Sequence, residues 1–174
     1  AAFSYFRRLI GFYEDEIKKI TSHRLIPVLT AENGALLGGN INNVDYIADK
    51  GVRMLTLTWN GENELASGSD CADGGLKPFG KRVIEKMEKR GVLVDVSHLN
   101  EKSFYDVVAF SKNPLVASHS NCYGIVGHKR NLKDDQIKLI IESKGLIGLC
   151  FHSPFLICDG HGSFEMLYRN IYRI

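Results

Sequence analysis

Two histidines in this sequence follow short apolar runs, and each is preceded by a serine. His98 follows the run 92–96, and His119 follows the run 115–117. The segment 100–110 between them has the spacing of an amphipathic helix, which predicts two parallel strands joined by a right-handed crossover. Both imidazoles are then expected at the carboxyl edge of the sheet, where α/β enzymes place their chemistry.

A carboxylate is expected at the same edge. Glu32 ends the nearly continuous apolar run 25–31, which is typical of a strand buried on both faces. One carboxylate and two imidazoles are ligands that zinc takes in proteins, so Glu32, His98 and His119 are the predicted metal ligands. His152, after the last apolar run, is a less secure candidate. The alternative is that these histidines are structural and are hydrogen-bonded to their surroundings.

Three further residues could act beside such a site. Asp95, three residues before the first histidine, could orient a ring or point into the sheet interior. Arg130 lies in the loop after the second histidine and suits a bidentate clamp on a carboxylate, although a solvated surface cluster would also place it there. Trp59 ends a predicted strand and could line a substrate pocket or belong to the core.

The elements that must position these residues alternate along the chain. We predict strands over residues 25–31, 54–59, 92–96, 115–117 and 146–151, and helices over residues 5–20, 43–50, 78–90, 100–110, 133–144 and 163–174. This alternation predicts an α/β fold with a parallel sheet and outer helices. A doubly wound sheet or part of an eight-stranded barrel would fit, but five strands cannot close a barrel. The long polar stretch 60–77 is either a lid or a flexible connector.

Composition bounds the class of protein. A chain of 174 residues with 44% hydrophobic and 24% charged residues is typical of one globular domain, 1–174, or of a piece of a larger one. The net charge of +2 comes without a basic patch, which favours small-molecule partners over nucleic acid or a membrane surface. No apolar run is long enough to span a membrane.

The spacing of the cysteines indicates their expected redox state. The four cysteines have no C-x-x-C spacing, so they are predicted to be reduced thiols of a cytoplasmic protein. A zinc site or disulfides are the alternatives.

Five phrases of the sequence resemble those of one enzyme family, the membrane dipeptidase (renal dipeptidase) family of zinc peptidases, in particular its bacterial branch. They occur in family order and cover most of the chain from residue 25 onward. The phrases are TAENG at 30–34, LTLTWN at 55–60, VDVSH at 94–98, ASHSN at 117–121 and RNLKDDQI at 130–137.

The resemblance implies a (β/α)₈ barrel of the TIM type, of which this chain resembles strands three to seven. It implies two zinc ions that share a bridging carboxylate and water, and zinc-dependent hydrolysis of dipeptides by a metal-activated water. Glu32 would be the bridge, His98 and His119 would complete the second zinc's ligands, and Arg130 would contact the substrate carboxylate. Mammalian members have a histidine at the position of Trp59, so the oxyanion donor is left unassigned.

The sequence also departs from the family pattern. No His-x-Asp pair precedes Glu32, and no eighth-strand aspartate is reached before Ile174, so one set of zinc ligands is present. We therefore expect an incomplete barrel, and the resemblance leaves open whether the isolated chain is active. The alternatives are a non-catalytic partial barrel that associates with itself or another chain, and another barrel-type metal hydrolase acting on an amide or lactone.

Overall fold

Five short strands form a single parallel sheet in the computed structural model, which describes residues 2–20, 26–157 and 164–174. The strands are β1 (Leu29–Glu32), β2 (Val52–Thr56), β3 (Leu93–Asp95), β4 (Leu115–Ala117) and β5 (Leu146–Ile147). Each strand pairs with the next one in the chain, in the order β1-β2-β3-β4-β5. A doubly wound sheet reverses its strand order at a switch point, and this sheet does not, so the order is that of part of a barrel.

Helices connect or flank the strands as the hydrophobic periodicity predicts. They are α1 (Ala2–Ile17), α2 (Asn42–Asp49), α3 (Pro78–Lys89), α4 (Glu101–Phe110), α5 (Asp134–Glu142) and α6 (Phe164–Arg173). Their ends differ from the predicted ends by a few residues at most. Pro78 occupies the first turn of α3, and the side chain of Asn100 caps α4 by accepting a hydrogen bond from Ser103 N.

The strands are shorter than the apolar runs predict. β2 ends at Thr56 rather than at residue 59, and β5 contains two residues rather than six. Among the described residues β5 pairs with β4 alone, so the ladder ends where the chain diverges from that one neighbour. The predicted extents of these two strands were therefore wrong. The predicted starts at residues 25 and 163 lie outside the described residues.

The core lies between the sheet and its helices. Leu55 of β2 is fully buried, as are Ile84 and Met87 of α3, and Phe104 of α4 is nearly so. These side chains belong to one contiguous cluster. Apolar burial of this kind is the main favourable contribution to folding, so the core holds the strand ends in place.

Truncating Leu55 tests this account of the core. Leu55→Ala is expected to lower the free energy of unfolding by about 2–5 kcal/mol, because it leaves a cavity in a packed interior. Leu146→Ala is the matched control: Leu146 is 67% exposed at the sheet edge, and its loss is expected to change stability by less than about 0.5 kcal/mol. Urea denaturation measures both, and equal effects would contradict the placement of the core.

The described residues also bear on the predictions about membrane spans and cysteines. None of the helices that the structure describes is long and apolar enough to cross a membrane. Cys71, Cys122 and Cys150 carry free thiols, and Cys158 lies outside the described residues. Burial raises the pKa of the Cys122 thiol to about 11, so this thiol is protonated at neutral pH.

Candidate metal centre and the adjoining cavity

Three potential metal ligands meet at the carboxyl edge of the sheet. Glu32 is the last residue of β1, and His98 and His119 follow the ends of β3 and β4. His98 Nε2 lies 2.9 Å from Glu32 Oε1 and 2.7 Å from His119 Nε2. His119 Nε2 lies 3.7 Å from the same carboxylate oxygen. The structure therefore brings together the three residues that the sequence placed at this edge, with one ligand atom from each within 4.8 Å of the others.

The donor set fits a zinc ion. Two imidazoles and a carboxylate are the ligand types of many zinc sites, and only the neutral imidazole can act as a ligand. Burial, followed by the nearby charges of Arg130 and His119, lowers the pKa of His98 to about 3. His98 is therefore neutral at physiological pH and has an electron pair available.

His98 has a left-handed backbone conformation, with φ of 72°. This region is unfavourable for a residue with a bulky side chain and is found where surrounding contacts enforce it. Here Ser69 N donates a hydrogen bond of 2.7 Å to the carbonyl of His98. On the ring, Nδ1 lies 2.7 Å from Asn60 Oδ1, and the Trp59 ring packs at a centroid distance of 6.2 Å. The backbone bends so that the ring faces the other two ligands.

The stretch 60–77 supplies the contacts of Asn60 and Ser69 to His98, and it is a connector packed against the rest of the chain. Leu65, Ala66 and Ser67 are buried within it. The carbonyl of Ser67 accepts a hydrogen bond from Asn100 N, which ties the stretch to the start of α4. Of the two roles that the sequence allowed, the structure favours the connector.

Asp95 is fully buried and contacts neither His98 nor His119 directly. Its carboxylate is fully buried and accepts hydrogen bonds from Thr56 Oγ1 at 2.6 Å, from Ser97 N at 3.0 Å, and from both the backbone and the side chain of Ser118. Ser118 Oγ in turn lies 2.7 Å from Nδ1 of His119. Asp95 therefore reaches a ring only through Ser118.

Arg130 lines a cavity that also borders His98. The cavity has a volume of about 350 Å³, and His98 and Arg130 both line it. Arg130 is only 5% exposed, and within the described part of the chain its Nε and Nη2 atoms have no hydrogen-bond partner. The guanidinium lies 5.5 Å from the centre of the Phe155 ring. Arg130 is therefore not part of a solvated surface cluster, which was the alternative that the sequence left open. Its buried positive charge and unpaired donors suit it to bind an anion.

Trp59 and His152 lie at the margins of this site. Trp59 is 57% exposed and is not among the residues lining the cavity, so its role in substrate binding stays a prediction. His152 is exposed, precedes a short 3₁₀ helix and packs against Phe155 at 4.7 Å between ring centroids. It does not join the three-ligand cluster.

The sequence did not identify two residues whose side chains form hydrogen bonds with the imidazole rings. Ser118 directly precedes His119, and this adjacency was a usable signal for a hydrogen bond to the ring. Asn60 lies 38 positions before His98 in the chain, and nothing in the local sequence indicates that the two meet.

A sequentially ordered parallel sheet with outer helices is the architecture of a partial (β/α) barrel, and the Glu-His-His cluster at its carboxyl edge could hold a metal ion. Residues 10–172 match the model of the membrane dipeptidase family, peptidase family M19. The chain belongs to this family, which confirms the resemblance seen in the sequence.

Individual relatives agree with this assignment. A protein of Acinetobacter calcoaceticus, described as an uncharacterized protein in the PQQ-III 3' region, is 35% identical over an alignment of 144 residues. The match covers 79% of this chain and 46% of the relative. The chain spans about half the length of the curated relatives that it matches.

Two solved structures share the fold. A metallo peptidase of Rhodobacter sphaeroides, liganded with a phosphinate mimic of the dipeptide L-Ala-D-Ala, matches with a TM-score of 0.75 and 32% identity over 81% of this chain and 43% of that one. The probable dipeptidase PvdM of Pseudomonas aeruginosa matches with a TM-score of 0.71 and 35% identity over 75% of this chain and 35% of that one.

Proposed function

We propose that this chain belongs to a zinc-dependent dipeptidase and supplies the ligand set of one metal ion. Glu32, His98 and His119 would hold the zinc, and Arg130 would bind the substrate carboxylate. The observation that carries this proposal is the meeting of the three ligand atoms beside a cavity that contains a buried guanidinium with free donors.

The choice of zinc follows from the chemistry of the ligands. Imidazole nitrogen favours zinc and similar transition metals over magnesium or calcium, which prefer oxygen. The side chain of Glu32 is 52% exposed, which leaves room for a second metal on the far side of its carboxylate, as a bridging ligand requires. When bound, zinc activates a water molecule and polarises the scissile carbonyl.

The chain's own residues explain why a dipeptide is the proposed substrate. The cavity is of a size that suits a small molecule. Within it, Nε and Nη2 of Arg130 have no partner among the described residues and could donate two hydrogen bonds to a carboxylate. Binding of the free C-terminus by Arg130 would place the single peptide bond of a dipeptide near the histidines. In longer peptides, the bond nearest the C-terminus would also reach the site, but the remaining residues would have to fit in the cavity. The relative with a bound dipeptide mimic supports the same class of substrate.

A substrate comparison tests this function. The zinc-loaded protein is expected to hydrolyse L-Ala-D-Ala, with kcat/KM lower by about a hundredfold or more for the C-terminal amide, which cannot accept a charge-assisted bidentate pair. A lactone, which lacks the carboxylate, is expected to react as poorly as the amide. Equal rates for acid and amide would contradict the role of Arg130, and a zinc-loaded chain that cleaves none of the three would contradict catalysis by this chain.

A further inference from the structure

Each imidazole of the proposed metal centre has a hydrogen-bond partner on the nitrogen that faces away from Glu32. For His98 this partner is the side-chain oxygen of Asn60, 2.7 Å from Nδ1. An amide oxygen can only accept a hydrogen bond, so the ring must donate. The proton of neutral His98 therefore belongs on Nδ1.

The orientation of the Asn60 amide is itself held by the connector. Asp70 N donates to the backbone carbonyl of Asn60 at 2.8 Å, and Ser69 Oγ lies 3.4 Å from Asn60 Oδ1, where its hydroxyl can donate. Ser69 is also the residue whose backbone N–H binds the carbonyl of His98. The same short segment thus holds both the backbone and the ring of this histidine.

Ser118 and Asp95 place the proton of His119 on the same ring nitrogen as in His98. Ser118 Oγ lies 2.7 Å from His119 Nδ1 and 2.5 Å from Asp95 Oδ2. A hydroxyl has one proton, and an ionised carboxylate can only accept, so Ser118 donates to Asp95 and accepts from the ring. The proton of neutral His119 therefore also belongs on Nδ1.

We propose that Asn60 and the Asp95–Ser118 pair are positioning residues that keep the ring protons of His98 and His119 on Nδ1. Both Nε2 atoms then present electron pairs toward Glu32. This inference rests on the proposed metal site and adds the residues that prepare it. The neutral histidine side chain in water prefers the opposite tautomer, with its proton on Nε2, so an unsupported ring would have to change tautomer before it could bind a metal through Nε2.

The distances show why the tautomer matters here. The two Nε2 atoms are 2.7 Å apart, and one of them is 2.9 Å from the carboxylate oxygen. With both protons on Nδ1, three electron-pair donors face one another, an arrangement that a cation stabilises. A proton on either Nε2 would block the position of the metal. Loss of such outer partners typically weakens metal binding 10- to 100-fold.

Zinc affinity is the first measurement, made by competition with a chromogenic chelator. Asn60→Leu and Ser118→Ala are each expected to weaken zinc binding about 10- to 100-fold. Asn60→Asp and Ser118→Thr keep the acceptor and the hydroxyl, and are expected to retain the affinity of the unmodified protein or exceed it. Asn113→Leu and Ser4→Ala, at exposed positions away from the site, are the matched controls. If Asn60→Leu fails to fold, Asn60→Ala removes the same acceptor.

The second measurement reads the protons directly, by NMR of metal-free protein with ¹⁵N-labelled histidine. In the unmodified protein each ring is expected to carry its proton on Nδ1 in a larger fraction of molecules than in the variant that lacks its partner, because the short Nε2 contacts compete for the proton when no metal is bound. Asn60→Leu is expected to move the proton of His98 to Nε2 and leave His119 unchanged, and Ser118→Ala is expected to do the converse. Rings that keep Nδ1–H in both variants, or zinc affinity that stays constant while a ring proton moves, would overturn the proposal.

Zinc affinity and the NMR spectra together distinguish failure of the positioning role from failure of the proposed zinc-dependent function. If the unmodified protein binds no zinc, the proposed function fails, while the NMR spectra still decide the tautomers. If it binds zinc and the variants keep both tautomer and affinity, the metal centre stands and the positioning role is wrong. A variant that loses zinc together with its fold is identified by its NMR dispersion, and Asn60→Ala or Ser118→Gly, which also removes the partner of the ring, then decides.

Discussion

His98→Ala and His119→Ala are each expected to abolish stable zinc binding. The unmodified protein is expected to retain about one zinc per chain after dialysis against a weak chelator, and each variant about one tenth of that or less. The reason is that the three ligand atoms form the whole cluster found in the described part of the chain, so removal of one imidazole leaves only a carboxylate and a single nitrogen. Two protein ligands are fewer than a stable zinc site uses, so they hold zinc weakly.

Metal analysis of the dialysed protein measures this effect, and His152→Ala is the matched control. His152 is another histidine near the same edge, but it is exposed and does not join the cluster. Its replacement is expected to leave the zinc content unchanged. Equal zinc in the unmodified protein, His98→Ala and His119→Ala would show that the ion, if present, is bound elsewhere. Circular dichroism of each variant would confirm that the sheet is retained.

Arg130→Met is expected to have the second-largest effect, on substrate rather than on metal. Loss of the guanidinium is expected to raise KM for L-Ala-D-Ala on the order of a hundredfold or more, because truncating one partner of a buried charge pair costs about 2–5 kcal/mol. Zinc content is expected to stay at the level of the unmodified protein. Since Nε and Nη2 have no partner among the described residues, their removal leaves no protein group unpaired there.

Two further variants define the role of this arginine. Arg130→Lys keeps a positive charge but loses the planar pair of donors, so its KM is expected to fall between those of Arg130→Met and the unmodified protein. Lys129→Met removes the neighbouring cation, which is exposed and paired with Asp70 at 2.7 Å, and is expected to leave KM unchanged. A substrate effect at Lys129 as large as that at Arg130 would indicate general attraction by positive charge rather than a specific clamp.

Much of the site could be predicted because the carboxyl ends of parallel strands meet at one edge. The apolar runs before Glu32, His98 and His119 were enough to place these residues together, although the strands themselves are short. The helices followed the 3.6-residue period closely, since their buried faces pack against a single sheet. Periodicity alone left a doubly wound sheet and a partial barrel open; the resemblance to the membrane dipeptidase family implied the barrel, and the strand order confirms it.

The extents of β2 and β5 depended on the structure. An apolar run marks where a strand can form, but the ladder continues only as long as a neighbouring strand supplies hydrogen bonds. β5 pairs with β4 only at Leu146 and Ile147, and it ends where that pairing stops. The role of the stretch 60–77 was undecidable from composition for a similar reason, because glycine and polar residues suit both a lid and a packed connector.

The sequence by itself determined which residue types stand at the carboxyl edge, namely one carboxylate and two imidazoles after parallel strands. Only the tertiary structure decided how they are supported: Asn60 meets His98 across 38 positions, and Arg130 is buried, with two donor atoms that no described residue accepts from. The physical reason is that strand ends are placed by periodic local patterns. Hydrogen bonds between loops, and the burial of a single side chain, depend on the path of the whole chain.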